Sequence, residues 1–177
     1  HIQYDNGNEQ VITTDASWRV TPGPITHSAI LGGSDYDARR LPESWCCADF
    51  DDSSWAACEL YAGPPGRLTS TVSPPVQVFD RFRALRIDQP EPGVYVYDFG
   101  QNASAVPRIR VQGLAGQVLR LTPAEQRFGQ ARNTNNGKGR VNQAGVGKPN
   151  YWQYTLGSAA EEKWMPQFTY GSFQYLE

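Results

Sequence analysis

The chain has 177 residues, long enough for one domain with a proper hydrophobic core and near the lower limit for two small ones. Hydrophobic residues make up 39%, aromatics 12% and charges 19%, with 17 Gly and 13 Pro, a balance that excludes disorder and favours many short strands over long helices. The net charge of −2 gives no general attraction to nucleic acid or an anionic membrane, no apolar run approaches a membrane span, and no signal-peptide pattern opens the chain.

The opening His1-Ile2-Gln3-Tyr4 reads like the interior of a strand, so the expectation is a single domain over residues 1–177 excised from a longer secreted protein. Gln10 to Thr14 and Ser17 to Val20 read as strands around a turn at Asp15-Ala16, and Ile25 to Leu31 as a third. The segment Phe50-Asp51-Asp52-Ser53-Ser54-Trp55 is the best candidate for a short helical turn, with Asp or Ser as its cap. Val76 to Ile87 is long enough for a bent strand or two, with Phe79, Phe82 and Leu85 supplying core. After a turn at Pro90-Glu91-Pro92-Gly93, Val94-Tyr95-Val96-Tyr97 alternates with period two.

Pro107 to Val111 and Gln117 to Leu121 flank a Gly-containing segment that suits a hairpin turn. Asn150 to Leu156, Lys163 to Phe168 and Ser172 to Leu176 complete a set of about ten strands, the pattern of an all-β, two-sheet jelly-roll β-sandwich with at most short helical turns. Phe128 to Pro149 is the longest stretch without apolar periodicity, and loops of that length are mobile or functional.

Cys46, Cys47 and Cys58 form an odd set without zinc-site spacing; one bridge from Cys46 or Cys47 to Cys58 is expected. Asn102-Ala103-Ser104 is a glycosylation sequon, a weak signal. Charge is lopsided: residues 1–60 carry ten acids against Arg19, Arg39 and Arg40. From Gln126 to Ala160 there are Arg127, Arg132, Lys138, Arg140 and Lys148 and no acid.

Catalysis is poorly supplied. His1 and His27 are too few and isolated for a triad, and no nucleophile elbow, phosphate loop or HExxH pattern occurs. Asp35 with Asp37 and Asp51 with Asp52 are the near-neighbour carboxylates, but proximity in sequence is weak evidence for a glycosidase pair. Sugar binding is better supplied, since aromatic faces meet sugar C–H surfaces while Asp, Asn, Gln and Arg chelate hydroxyls, and calcium can join through oxygen ligands. Gly32 to Arg39 places Asp35 and Asp37 on one side if it stays extended, and Asp98-Phe99-Gly100-Gln101-Asn102 leaves another strand in the same way. Asp37 and Arg39 equally suit a fold-locking ion pair, and the five tryptophans are individually better placed in a core than as platforms.

Thr14 to Trp18, Gly23-Pro24-Ile25, Gly32 to Arg39, Trp45, Phe50 to Trp55, Pro74-Pro75-Val76, Val96 to Asn102 and the closing Phe168 to Tyr175 resemble, in this order, the accessory β-sandwich of bacterial-type α-L-rhamnosidases of glycoside hydrolase family 78. That domain is similar to the rhamnose-binding modules of carbohydrate-binding family 67, which hold terminal L-rhamnose with a calcium ion, the hydrolytic carboxylates lying in a separate barrel. The resemblance implies a secreted, monomeric, non-catalytic module that recognises terminal α-L-rhamnose on polysaccharides, or alternatively a non-binding sandwich that supports a catalytic barrel.

On the binding alternative, Asp35, Asp37 and Asn102 with the Pro75 region carry calcium or sugar hydroxyls, and Arg39 and Gln101 add hydrogen bonds. Trp45 packs on the deoxysugar, whose methyl adds about 0.8 kcal/mol of burial. Arg127, Arg132, Lys138, Arg140 and Lys148 would contact a neighbouring uronic acid; no nucleic-acid or membrane partner is expected. Two departures stand out: Gly171 or Ser172 and Gln174 occupy the places of a His and an Arg, and a basic Asn/Gly-rich insertion follows Glu125.

Overall fold

The structure, a computed structural model, describes residues 1–63, 65–67, 69–129, 139–145 and 149–177. The chain opens with β1 (Ile2–Gln3), β2 (Glu9–Gln10) and β3 (Arg19–Val20). Next come β4 (Ile25–Ala29), β5 (Gly33–Asp37), a 3-10 turn at Ala38–Arg40 and β6 (Ala56–Ala57). The strands β7 (Arg86–Glu91), β8 (Val94–Ala105), β9 (Ile109–Val111) and β10 (Val118–Leu121) follow. The chain closes with β11 (Pro123–Ala124), β12 (Gln126–Arg127), β13 (Val141–Asn142), β14 (Tyr151–Thr155), β15 (Glu162–Trp164) and β16 (Gly171–Leu176).

The fold is all-β, and the 3-10 turn is its helical element among the described residues. Whereas the sequence reads as one sandwich, the chain clusters into two compact units, residues 1–22 with 43–77 and residues 23–42 with 78–177.

In the second unit two four-stranded sheets, ordered β10-β14-β5-β4 and β11-β16-β8-β7, form the sandwich. Alternation in β14 sends Trp152 and Tyr154 inward, and Phe173 and Leu176 of β16 meet them from the other sheet. The rings of Trp152 and Phe173 stand edge to face at 6.0 Å. Trp152 is fully buried, and removing a ring of that size from water contributes about 5 kcal/mol. Trp164 of β15 closes one end, 5.0 Å from Tyr154 and 5.8 Å from Tyr36. Beneath the second sheet a smaller core of Val96, Ala124, Val141 and Tyr175 is covered by the β12–β13 ribbon.

Glu162 ties this end together. Its carboxylate accepts from Tyr154 Oη at 2.8 Å, Ser158 Oγ at 2.9 Å, Ser158 N at 2.6 Å and Gly157 N at 3.1 Å. Burial pushes its proton affinity up, but these donors outweigh burial and hold the carboxyl below the usual carboxylate range. Its depressed folded pKa means that its contribution is complete above the unfolded value of 4.5 and is lost as pH falls through the folded value. Glu162→Gln is expected to cost about 1–3 kcal/mol at neutral pH and to flatten the acid limb of stability below pH 4.5, read by urea unfolding across pH.

The first unit is thinner. Its described strands are two residues each, β1 paired with β2 and β3 with β6, and none of its described residues is buried. Side-chain turns shape its loops: Asp15 accepts from Ser17 N at 2.8 Å, and Asp51 from Ser53 N at 2.9 Å.

Several expected elements differ. Gln10 to Thr14 and Ser17 to Val20 do not pair with each other; their strand portions pair with β1 and β6. The segment from Val76 to Leu85 carries no strand, and Phe79 and Leu85 are 93% and 79% exposed rather than core. The expected hairpin is absent: β9 pairs with β15 and β10 with β14, because both strands find longer-range partners. Phe50 to Trp55 forms turns rather than a helix, since Asp51 satisfies the Ser53 amide locally. All three cysteines are free thiols; that of Cys58 donates to the Asp15 carbonyl at 3.0 Å instead of bridging.

Candidate functional site

Alternation in β5 turns Ser34 and Tyr36 inward and leaves Asp35 and Asp37 on the outer sheet face, as the extended segment predicts. The two carboxylates then part company. Asp37 caps the 3-10 turn through Arg39 N at 3.1 Å and is gripped by the Arg39 guanidinium at 2.9 and 2.8 Å. That fork holds the Asp37 carboxyl well below the usual range. Asp35 Oδ1, shielded from solvent, has no hydrogen-bond partner among the described residues.

Strand register sets the neighbours of Asp35. His27 of β4 lies across from it on one side and Gln153 of β14 on the other, and Arg120 of β10 pairs with Gln153. Arg120 donates to Gln153 Oε1 at 3.2 Å and lies 4.2 Å over the Tyr151 ring. A polar row, His27-Asp35-Gln153-Arg120, therefore crosses all four strands of the sheet. Sequence reasoning found Asp35 alone; the alternation of Tyr151 to Thr155 was the signal that could have added Tyr151 and Gln153.

The other expected residues lie elsewhere. Gln101 and Asn102 do not leave a strand but sit within β8, in the other sheet, where Asn102 donates to Glu125 Oε1 at 3.0 Å. Trp45 and Pro75 belong to the first unit. The structure does not bring the expected calcium residues together on one surface. Asp37 is taken by Arg39, Asn102 lies in the opposite sheet, and the described residues gather no group of three or more His, Cys, Asp or Glu able to hold a metal ion.

The expected uronate contacts also change character. Arg127 donates to Asp88 at 2.6 Å, which lowers the Asp88 pKa, and Arg140 donates to both Glu177 oxygens at 2.5 and 3.0 Å. Both cations clip the β12–β13 ribbon onto the second sheet, because carboxylates of β7 and the last residue lie within reach of that ribbon. Arg132, Lys138 and Lys148 lie outside the described residues.

A second surface occupies the first unit. Trp18, Trp45, Phe50 and Trp55 line an open cleft of about 490 Å³, with Arg19, Asp52 and Cys47 at its border. Phe50 and Trp55 stand edge to face at 5.4 Å, and Arg19 lies 3.8 Å from Asp52. Trp18 is 46% exposed, against the expectation of core, and Trp45 is 53% exposed.

Fold and surfaces together define a class: an all-β region whose two-sheet sandwich carries a polar row on one face. Residues 1–80 match the α-L-rhamnosidase N-terminal domain, and residues 88–177 match the bacterial α-L-rhamnosidase concanavalin-like domain. The chain belongs to the bacterial α-L-rhamnosidase family.

It is 33% identical to an α-L-rhamnosidase of Streptomyces avermitilis over 99% of its own length and 16% of that protein. A relative from Formosa agariphila is 27% identical over 99% of this chain and 18% of its own. Among solved structures, the α-L-rhamnosidase of Dictyoglumus thermophilum superposes with a TM-score of 0.86 at 33% identity, covering 98% of this chain and 19% of that one. The Streptomyces avermitilis enzyme complexed with L-rhamnose gives 0.85 at 32%, covering 98% of this chain and 16% of that one. The chain thus spans less than a fifth of the length of these relatives.

Proposed function

We propose that this chain is a non-catalytic, supporting β-sandwich region of an α-L-rhamnosidase. One observation carries the reading: side chains of the types that take ligands are spent inside the fold. Asp37 with Arg39, Asn102 with Glu125, Arg127 with Asp88 and Arg140 with Glu177 each hold a turn, strand or ribbon in place. Such groups stabilise geometry and offer little to a sugar.

A second reading, L-rhamnose binding, is favoured by the orphan oxygen of Asp35 in the polar row and by the relative solved with L-rhamnose. A buried acceptor without a donor calls for an explanation, and a sugar hydroxyl would supply one.

Thermal melting separates the two. The supporting reading predicts the same midpoint with and without L-rhamnose, in calcium or in chelator. A bound ligand at a hundred times its Kd would add about 2.7 kcal/mol, an upward shift of several degrees. A rhamnose-dependent rise that disappears in Asp35→Ala would replace support with recognition.

A further inference from the structure

We propose that a cleft beside the β12–β13 ribbon binds an uncharged hexose unit, a role beyond the support assigned above. The cleft measures about 340 Å³, within the size range of small-molecule sites, and lies wholly in the second unit. Its polar groups are the starting point. Asn142 is only 8% exposed; its Oδ1 accepts from Ala144 N at 3.0 Å, whereas its Nδ2 has no partner among the described residues.

Gln143 shows the opposite imbalance. Its Nε2 donates to the Pro123 and Asn150 carbonyls at 2.9 and 2.5 Å, and its Oε1 is left without a donor among the described residues. The Thr122 hydroxyl is also unengaged there, since Thr122 meets Glu177 through backbone alone. Asp35 Oδ1 is the one shielded side-chain atom without a partner among the described residues, so these three groups reach solvent, on residues that line one cleft. A donor, an acceptor and a hydroxyl side by side match a ring of sugar hydroxyls, each of which donates and accepts.

Charge and shape choose the ligand. Arg140 is held by Glu177 at 3.0 and 2.5 Å and lies 3.8 Å from Glu91, so one cation stands between two carboxylates. The surplus negative charge repels phosphate or a uronate. An apolar ligand would leave the Asn142 amide and the Gln143 oxygen unpaired on leaving water. Phe128, half-buried at the cleft, offers an aromatic wall to sugar C–H groups. Five of the seven lining side chains are polar, which favours a hexose with its 6-hydroxyl over a 6-deoxy sugar.

The walls are already fixed. Thr122 and Glu177 exchange backbone hydrogen bonds at 2.7 and 3.0 Å, Phe128 N donates to the Arg140 carbonyl at 2.9 Å, and Val141 N donates to Glu177 Oε2 at 3.2 Å. Little ordering is therefore left to oppose binding.

Saturation-transfer NMR on the 177-residue chain, with D-glucose, D-galactose and D-mannose as separate probes, tests this. At least one of the three should receive magnetisation from the protein, and D-glucuronate should receive none. Asn142→Asp keeps the oxygen that serves Ala144 N but replaces the free amide donor with an acceptor, and should weaken binding about tenfold. Phe128→Ala should weaken it by a similar factor. Thr122→Val, nearly isosteric and with both backbone bonds to Glu177 intact, should cost about fivefold and serves if either other variant fails to fold.

No signal from any of the three hexoses would overturn the proposal. So would binding that is unchanged in Asn142→Asp and Thr122→Val, or tighter binding of D-glucuronate or L-rhamnose in the cleft. The supporting reading fails separately: a rhamnose-dependent melting rise lost in Asp35→Ala overturns it without touching the hexose result.

Discussion

Replacing Gly33 with alanine is expected to destabilise the second unit by at least about 3 kcal/mol, as its added methyl would meet backbone more closely than at any other glycine compared among the described residues. Gly33 sits at φ +87, a conformation that costs an L side chain energy before any neighbour is considered. The neighbour decides the size of the effect: a Cβ there would lie 1.6 Å from the Tyr151 carbonyl oxygen and 2.6 Å from its carbon. Those atoms are backbone of the parallel partner strand, so no rotamer change relieves the overlap. The strands must separate, and the ladder from Gly33 to Asp37 is lost with them. Urea unfolding measures this, and a midpoint within error of the parent chain would refute the close approach. Gly93, also at positive φ but with open space around it, is the control, because alanine there pays only the backbone strain.

A chain of residues 78–177, which contains the whole concanavalin-like match, is expected to show no cooperative unfolding on its own. The two family matches divide the chain between residues 80 and 88, but the contacts divide it differently: residues 23–42 belong with the second unit. They supply β4 and β5, half of one sheet of the sandwich. Without them β14 loses its parallel partner, and Tyr36 no longer stacks on Tyr154 at 5.6 Å. Trp152 and Tyr154 would then stand on an open edge, exposing several kcal/mol of burial in a domain whose net stability is about 5–15 kcal/mol. Adding a peptide of residues 23–42 should restore a sharp transition and quench dye binding to exposed apolar surface. A cooperative melt of the shorter chain alone, close to that of the parent, would show that the sheet is complete without β5.

Much of the fold was legible because it depends on local alternation. Asn150 to Leu156 and Ser172 to Leu176 were read as strands from their side chains and form β14 and β16, with Trp152 and Phe173 facing each other across the core. Failures cluster where partner choice matters. Val76 to Leu85 has the apolar content of a strand but forms none; its end is tied by Leu85 N donating to the Asp98 carbonyl at 2.7 Å, and the Phe79 and Leu85 side chains stay exposed. Gly32 to Arg39 was read as a segment that sets Asp35 and Asp37 on one side if extended; that its Gly33–Asp37 part is an inner strand of a sheet was hidden, because only β14, more than a hundred residues on, could reveal the pairing.

The candidate site divides in the same way. Its chemistry was visible in outline: Asp35 and Asp37 share a face, and Asp37 with Arg39 forms the ion pair that their spacing allowed. What was hidden is which groups are already satisfied. Arg127 and Arg140 look like free cations in a run without acids, yet Asp88 and Glu177, distant in sequence, pair with them.

By itself the sequence determined the all-β class, the family and the residue types on each strand face, since alternation and motif order are properties of neighbouring residues. Tertiary structure alone decided the strand order, the membership of residues 23–42 in the second unit, the row from His27 to Arg120 and the spent charges. Those depend on through-space distances between residues far apart in the chain, and hydrogen bonds and ion pairs act over a few ångströms of space whatever the separation in sequence.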